Sequence, residues 1–600
     1  MVDAVARETA NEGGKEVRMS KSNSAMQSHF NLVDEPWVSC VYVDGRAKDV
    51  SLRTVFRDAP FIRTLSGDLP QQETALLRFL LGIMYRAFLD EGMSRGDMRL
   101  MWKSMWESGR FAEGYLDEYL DAFHDRFHLI GGDRPFYQTP GLAYAGDKTM
   151  DSIGEIIADV PKPDKFLFAM RSMPSLNDGI DLAQAARWLI FAQSYDVAGI
   201  KSPVVGNTHV NKGKVYAPKG LPGTGWQGTI GTIALEGDTL FETLMLNWCL
   251  YIPGGADLFG LADDVPPWEH DVAPTADLHV ISTFTGPVGA LTMQSRRILL
   301  VPNERQERIV GVINCYGDVI AAYDTDSCET MTAWYASIPQ QKKLGLGAPP
   351  LMPTTHKAGR ALWRGLTPIL SADPNGRDMR PTVVRWVEEL QEQHCIDGDR
   401  HTLSLIKVHA QGMTYGTQSS VYESGIDDAV DLNTAFIRRD FPAIATVVDV
   451  VSATDEAVEK ALSVFITNLR VAAGDKTGGD RMKTVKERVK EEAYARLDAV
   501  FRDHLAAFGP ECDCESYRNE WQDDVHRILL DIGRDYLSDA DVRAFGEHAN
   551  GGIGSDWMSA ARAQRIFRAQ LNRILGRLSQ PTDSPATDDT ATEPAYEGAQ

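Results

Sequence analysis

No stretch of the 600-residue chain approaches the roughly 20 consecutive apolar residues of a membrane-spanning helix, which excludes a helical integral membrane protein. The first residues lack the apolar core of a secretion signal, and residues 1–28 are polar enough to be read as a disordered extension. No CxxC occurs. The seven cysteines, Cys40, Cys249, Cys315, Cys328, Cys395, Cys512 and Cys514, are scattered and odd in number, so a disulfide framework is not expected and a reducing cytoplasm is. Cys512 and Cys514 have no second pair with which to hold a structural zinc. Positive charge is also scarce. Sixty-one Lys and Arg against 84 Asp and Glu leave a formal charge of −23, which excludes a freestanding nucleic-acid coat but not a few local contacts to DNA.

Signatures of catalysis are missing too. There is no GxSxG, HExxH or EF-hand loop, and GLPGTGWQG at 220–228 lacks the GK[ST] of a phosphate loop. The GGD at 131–133 reads as a tight turn. The dipeptides His124–Asp125 and His270–Asp271 lack the further ligands of a metal-dependent phosphohydrolase, and surface or capping roles are expected for them.

What is present is a long soluble chain, 43% hydrophobic and 24% charged, too large for one core. Residues 29–56 alternate around a Val-Asp-Gly turn, a hairpin signal. Apolar spacing predicts helices at about 71–91, 95–107, 111–126 and 182–195, and RRILLVP and RIVGVINCYG read as strands. Residues 29–420 are accordingly expected to form one mixed α/β domain, an α+β arrangement. From about 430 strand patterns fade. Four amphipathic stretches, 427–438 running on to 472, 481–508, 514–537 and 556–578, predict an all-α four-helix bundle over 427–578. The tail 579–600 has no basic residue and is expected to be disordered.

Two basic islands stand out. The loop 199–229 carries Lys201, Lys212, Lys214 and Lys219 with no acidic residue, and Lys342–Lys343 precede a Gly/Pro stretch. Small residues allow close backbone approach and lysines can meet phosphates, although a solvated loop fits the same composition. Arg481, Lys483, Lys486, Arg488 and Lys490 cluster on one C-terminal helix. Arg562, Arg565 and Arg568 share a face of another; that face either meets nucleic acid or is simply solvated.

Several segments, in order and spacing, resemble one family. FNLVDEPWVSCVYVDG, HLIGGDRPFYQTPGL, VPPWEHDVAP and GLTPIL after ALWRG are similar to elements of the CasA family, the large subunit of the type I-E CRISPR Cascade complex. The resemblance spans about 29–578. It implies a cytoplasmic, non-catalytic subunit that joins other Cascade subunits and their CRISPR RNA. Such a subunit reads the protospacer-adjacent motif (PAM) on double-stranded DNA, helps to open the duplex and recruits a helicase-nuclease. It also implies positions. A glycine loop after the F-x-Q helix end falls on Ala198 and Gly199, with Ile200, Lys201 and Ser202 where some relatives have more glycines. A lysine finger about eight residues before MPTTH falls on Lys343, beside Lys342. A glutamine wedge before LSLI falls near Gln391 to Gln393, best on Gln393, although exposed glutamines of an amphipathic helix fit as well. A guide-RNA loop falls on Phe166, Phe168 and Arg171. Some relatives hold zinc with two cysteine pairs; LAQAARW has none here, so neither a structural metal nor a cofactor is expected. A scaffold without motif reading and a metal-dependent nuclease are the alternative functions.

Overall fold

The computed structural model describes residues 30–577 apart from 161–175, 177, 372–376, 399–400, 403–404, 439–441, 477–478, 510, 547 and 550–556. The extension 1–28, the tail 579–600 and the expected guide-RNA contacts Phe166, Phe168 and Arg171 lie outside the described residues. The chain is mixed α/β, with strands concentrated in the first three quarters and helices in the last.

The alternating N-terminal segment forms the expected hairpin. Val38–Tyr42 and Ala47–Val50 pair antiparallel across a turn at Gly45, whose φ of 85° is left-handed and suits glycine. Ile62–Leu65 adds a third strand. Helix Pro70–Ala87 follows, with proline at its start, where a missing N–H costs nothing. It is buried on nearly all sides. Its Arg78 donates two 2.8 Å bonds to Glu329, and Trp226 donates a third. An unpaired charge there would cost several kcal/mol, so the pair must stay intact. Helices Arg95–Ser108 and Leu182–Tyr195 match the periodicity, capped by Ser94 and Asp181. Over 111–126 only Tyr115–Ala122 is α-helical; a 3-10 turn, His124–Arg126, ends the segment.

The element that organises the rest is a long antiparallel hairpin. Leu405–Tyr415 pairs with Tyr422–Asn433 and, on its other edge, with Thr232–Glu236. The sequence reading of helix from 427 is corrected here, because this segment is strand to Asn433 and the helical region begins at Ala443. Ile426, Val430 and Leu432 are buried at even spacing, the period of a strand. Ile426 and Val430, four apart, fit a helix equally well, and this made the pattern ambiguous.

The C-terminal region is helical. Ala443–Glu456 continues through a π segment, Ala457–Leu462, into Ser463–Ala472. Asp480–Ala507, Cys514–Ser538 and Ala560–Ile574 follow. The last begins four residues later than expected, after the two-residue strands His548–Ala549 and Trp557–Met558. The helices pack through aromatic contacts: Phe465 stacks on Phe567 at 4.8 Å, and Phe501 meets Trp521 edge-on at 4.9 Å. The region is fastened to the long hairpin. Arg502 pairs with Asp428 at 2.7 Å and donates to the Ala429 carbonyl, while Trp363 stacks on Phe501 at 4.4 Å. No helix among the described residues is long and apolar enough to cross a membrane.

Candidate nucleic-acid interface

Helix Leu182–Tyr195 delivers the expected glycine loop. It ends at Asp196, whose carboxylate is fully buried. Lys201 Nζ lies 2.7 Å and Arg296 Nε 2.5 Å from Asp196 Oδ2, and the Asn314 amide donates to the same oxygen at 3.2 Å. Arg296 further donates to the carbonyls of Asp196, Val197 and Gly223. Burial alone would raise the Asp196 pKa, but Lys201 and Arg296 outweigh it and hold the carboxyl below its usual range. This arrangement corrects one expectation. Lys201 is only 4% exposed and its ammonium is spent inside the protein, so it is not a surface DNA contact. The sequence could not distinguish a loop lysine that folds back onto an aspartate five residues earlier.

The rest of the 199–229 segment is more ordered than a plain loop. Val210–Asn211 and Lys214–Val215 form a small hairpin, with Lys212 and Gly213 at its turn. Lys201 and Val215 exchange backbone hydrogen bonds at 3.0 Å, tying the hairpin to the loop base. Lys212, Lys214 and Lys219 are all exposed, so the basic island survives without Lys201.

Ala198 and Gly199 are half-buried. Ala198 N–H donates to the Ser419 carbonyl at 2.7 Å, and the Gly199 carbonyl accepts from the Tyr316 hydroxyl at 3.0 Å. A Cβ on Gly199 would meet nothing nearer than 3.8 Å, so the fold itself does not demand glycine there. Gly223 and Gly225 differ. A Cβ on Gly225 would lie 2.4 Å from the Ser194 backbone, and one on Gly223 would lie 2.7 Å from Ala217 Cβ.

Ser419 lies at the tip of the long hairpin, in the turn Thr417–Ser419. Gln418 occupies that turn with φ 57° and is exposed. Sequence reasoning missed it, although YGTQSS between two alternating strands is a hairpin signal. Gln391 and Gln393 sit elsewhere. Gln391 lies in the last turn of helix Thr382–Glu392 and donates to the Thr434 carbonyl at 3.0 Å, next to the opposite end of the hairpin. The strand between these two ends, Tyr422–Asn433, runs roughly 36 Å at about 3.3 Å per residue. The expectation of a wedge at Gln391 to Gln393 is therefore corrected, because these residues lie at the end of the hairpin away from Gly199. Gln393 is exposed but caps the far end of that helix, and Gln391 is held by the Thr434 carbonyl.

Lys342 and Lys343 are exposed in the last turn of helix Ile338–Leu344, where cations favour the helix C-terminus. Ser337 caps its start and Gly345, φ 69°, its end. The helix is an excursion between the paired strands Trp334–Ala336 and Leu351–Pro353. Thr354 then accepts from Gly231 N–H at 2.7 Å, and Thr232 pairs with Gln411. The strand pair that carries the lysine helix thus joins the hairpin beside Gln411, near its middle, between the far end and the tip that meets Gly199.

On terminal helix Ala560–Ile574, Ala563, Phe567 and Leu571 face inward and Arg565 and Arg568 are exposed. Arg562 is half-buried and donates to the Trp557 carbonyl at 2.6 Å, so it differs from the other two. Arg568 joins Arg527 and Arg534 around a surface cavity of about 390 Å³. Of the other basic cluster, Lys490 is taken up by Glu459 at 2.6 Å.

The middle of the hairpin carries an acidic clasp. His409 Nδ1 lies 2.5 Å from Glu236 and Nε2 2.6 Å from Asp427. Burial would lower the imidazole pKa, but bonds to Asp427 and Glu236 override it and push it up to about 10. The His409 hydrogen bond holds Asp427 below its usual range. Burial raises neighbouring Glu73 to about 7.

The family model for CRISPR-associated protein Cse1 matches residues 31–532. The fold is similar to that of Thermobifida fusca Cse1, with TM-score 0.77 and 30% identity over 92% of this chain and 98% of that one. Thermus thermophilus CasA (Cse1) shares the fold at TM-score 0.65 and 18% identity, over 92% of this chain and 100% of that one. A chain of a CRISPR RNA-guided surveillance complex shares it at TM-score 0.65 and 15% identity, over 91% and 99% of the two chains. No curated protein matches the sequence.

Proposed function

Because this chain belongs to the CRISPR-associated protein Cse1 family, we propose that it is the large subunit of a type I-E RNA-guided surveillance complex and reads the PAM on double-stranded DNA. The observation that carries this reading is the 2.7 Å bond from Ala198 N–H to the Ser419 carbonyl, which sets the exposed Gln418 beside the glycine loop. Gly199 lies against the DNA where an outside surface, not the fold, excludes a side chain. Lys343, with Lys342 beside it, donates to minor-groove acceptors. That groove distinguishes A·T from G·C mainly by one guanine amino group, so several motifs are tolerated. Gln418 takes the wedge role in place of Gln391 and Gln393 and unstacks the first pair, at a cost on the order of a few kcal/mol. Base pairing with the CRISPR RNA of the partner subunits then reads the target, which is how an acidic subunit manages with few contacts. The chain is non-catalytic and recruits a helicase-nuclease. Its C-terminal helices act as a four-helix bundle, with Arg565 and Arg568 along the nucleic acid.

The test is a reconstituted complex on matched duplexes with accepted and rejected motifs. Lys343→Ala should cost on the order of 1–3 kcal/mol on the accepted motif and little on the rejected one. Gly199→Ala, which the chain itself accommodates, should shrink the same gap. Gln418→Ala should spare capture and slow strand opening. Equal losses on both duplexes for Lys343→Ala would reduce the lysine to a phosphate contact and end the reading.

A further inference from the structure

Two of the segments that carry the family resemblance, FNLVDEPW and HLIGGDRPFYQ, meet in space around a group of nitrogen and oxygen donors. Phe30–Asn31 pairs antiparallel with His128–Ile130, and Leu32 N–H donates to the Phe127 carbonyl at 2.9 Å. The 3-10 turn His124–Arg126 brings His124 and Asp125 to the head of that second strand. Ligand atoms of His124, Asp125 and His128 all lie within 4.8 Å of one another, and among the described residues this is the one group of three with that property.

The details fit a cation. Asp34 Oδ2 lies 2.7 Å from His124 Nε2. A proton held on Nε2 leaves Nδ1 with a lone pair, the arrangement in which an outer carboxylate orients a metal-binding imidazole. His124 Nδ1 is 3.9 Å from Asp125 Oδ1. It is 3.4 Å from Asn31 Nδ2, and His128 Nε2 is 3.5 Å from the same amide nitrogen. That amide makes its good bond, 2.9 Å, to the His124 carbonyl. Two imidazole nitrogens thus share one stretched donor. Tetrahedral ligands at about 2.1 Å from zinc stand roughly 3.4 Å apart. The Asp125 side chain is 99% exposed and free to swing by the small remainder.

We propose that His124, Asp125 and His128 bind one divalent transition-metal ion of the zinc type, with Asp34 holding His124 from behind. Two neutral imidazoles and a carboxylate suit Zn²⁺ better than Mg²⁺ or Ca²⁺, which favour all-oxygen sets. The ion would pin the 30–34 segment to the 124–130 segment. The expectation of no metal rested on missing cysteine pairs and on missing partners for His124–Asp125. The fold supplies His128 and Asp34.

The experiment uses the full chain, dialysed against chelator and titrated with Co²⁺ as probe, with Zn²⁺ as competitor. The protein should take up one equivalent, showing d–d absorption without thiolate charge-transfer bands, and Zn²⁺ should raise its thermal transition. Asp34→Asn should weaken binding roughly 10–100-fold. Asp125→Asn, at an exposed side chain that leaves the fold intact by circular dichroism, should weaken it too. His124→Gln and His128→Gln should abolish it. No uptake by the unmodified chain overturns the proposal. So does uptake that survives His124→Gln with His128→Gln, or that disappears in Cys512→Ser with Cys514→Ser.

Discussion

Replacing Lys201 with methionine separates a structural lysine from a DNA-binding one. The side chain is 3% exposed and its ammonium lies 2.7 Å from a carboxylate with no exposure at all. Removing one partner of a buried pair typically costs about 3–5 kcal/mol. Arg296 still neutralises Asp196 at 2.5 Å, which puts the expected loss at the lower end, about 3 kcal/mol. With a urea dependence of about 3 kcal/mol per molar, the unfolding midpoint should fall by about 1 M. The pH behaviour follows from the same group. The Asp196 pKa is depressed in the fold, so its stabilisation is present above the unfolded value, near 3.9, and is lost only as pH falls through the folded one. The difference between Lys201→Met and the unmodified chain should therefore hold steady from about pH 5 to 8. Urea unfolding followed by tryptophan fluorescence measures it. A DNA contact would instead leave the midpoint alone and flatten the salt dependence of binding by roughly 0.9 log unit per log unit of salt. An unchanged midpoint with weakened DNA binding refutes the buried triad.

Three other outcomes follow. The raised His409 pKa means that its clasp stabilises fully below about pH 6.5 and loses that contribution as pH rises toward about 10, so His409→Gln should flatten stability over that window in thermal melts. Burial of Glu73 acts in the same direction, since its ionisation is disfavoured in the fold as pH rises from about 4.5 to about 7. In the reconstituted complex, Arg565→Gln with Arg568→Gln should lower the salt slope of DNA binding by up to roughly 1.8 without altering motif preference, and an unchanged slope would leave that face merely solvated. Arg562→Gln, whose guanidinium already serves the Trp557 carbonyl, should change the slope less than either of the others.

Much of the fold was legible because long apolar periods leave little choice. Helix Leu182–Tyr195 and the strands Arg296–Pro302 and Arg308–Tyr316 follow their patterns closely. Residues 427–433 misled because Ile426 and Val430 satisfy both periods and only pairing with a distant strand decides between them. The site was less legible for a related reason. The family resemblance pointed to Ala198 and Gly199, which follow a helix end, and to Lys343, which precedes a short motif. It could not find Gln418, because its place beside Gly199 is set by a contact between residues more than 200 apart in sequence. Lys201 reads like any loop lysine until Asp196, Arg296 and Asn314 are brought around it.

The long hairpin has a mechanical consequence. It is gripped near its middle, where Arg502 holds Asp428, and its tip is bonded to the glycine loop through Ser419. From Asp428 to the end of the ladder at Tyr422 are six steps, or roughly 20 Å of paired strand at about 3.3 Å each. Paired strands resist bending, and Gln71 holds the ladder again at the Ile426 carbonyl, 3.0 Å away, so the hairpin is a stiff tie between the C-terminal helices and the glycine loop. The distance from the C-terminal helices to the Gln418 turn is therefore set by the length of that ladder.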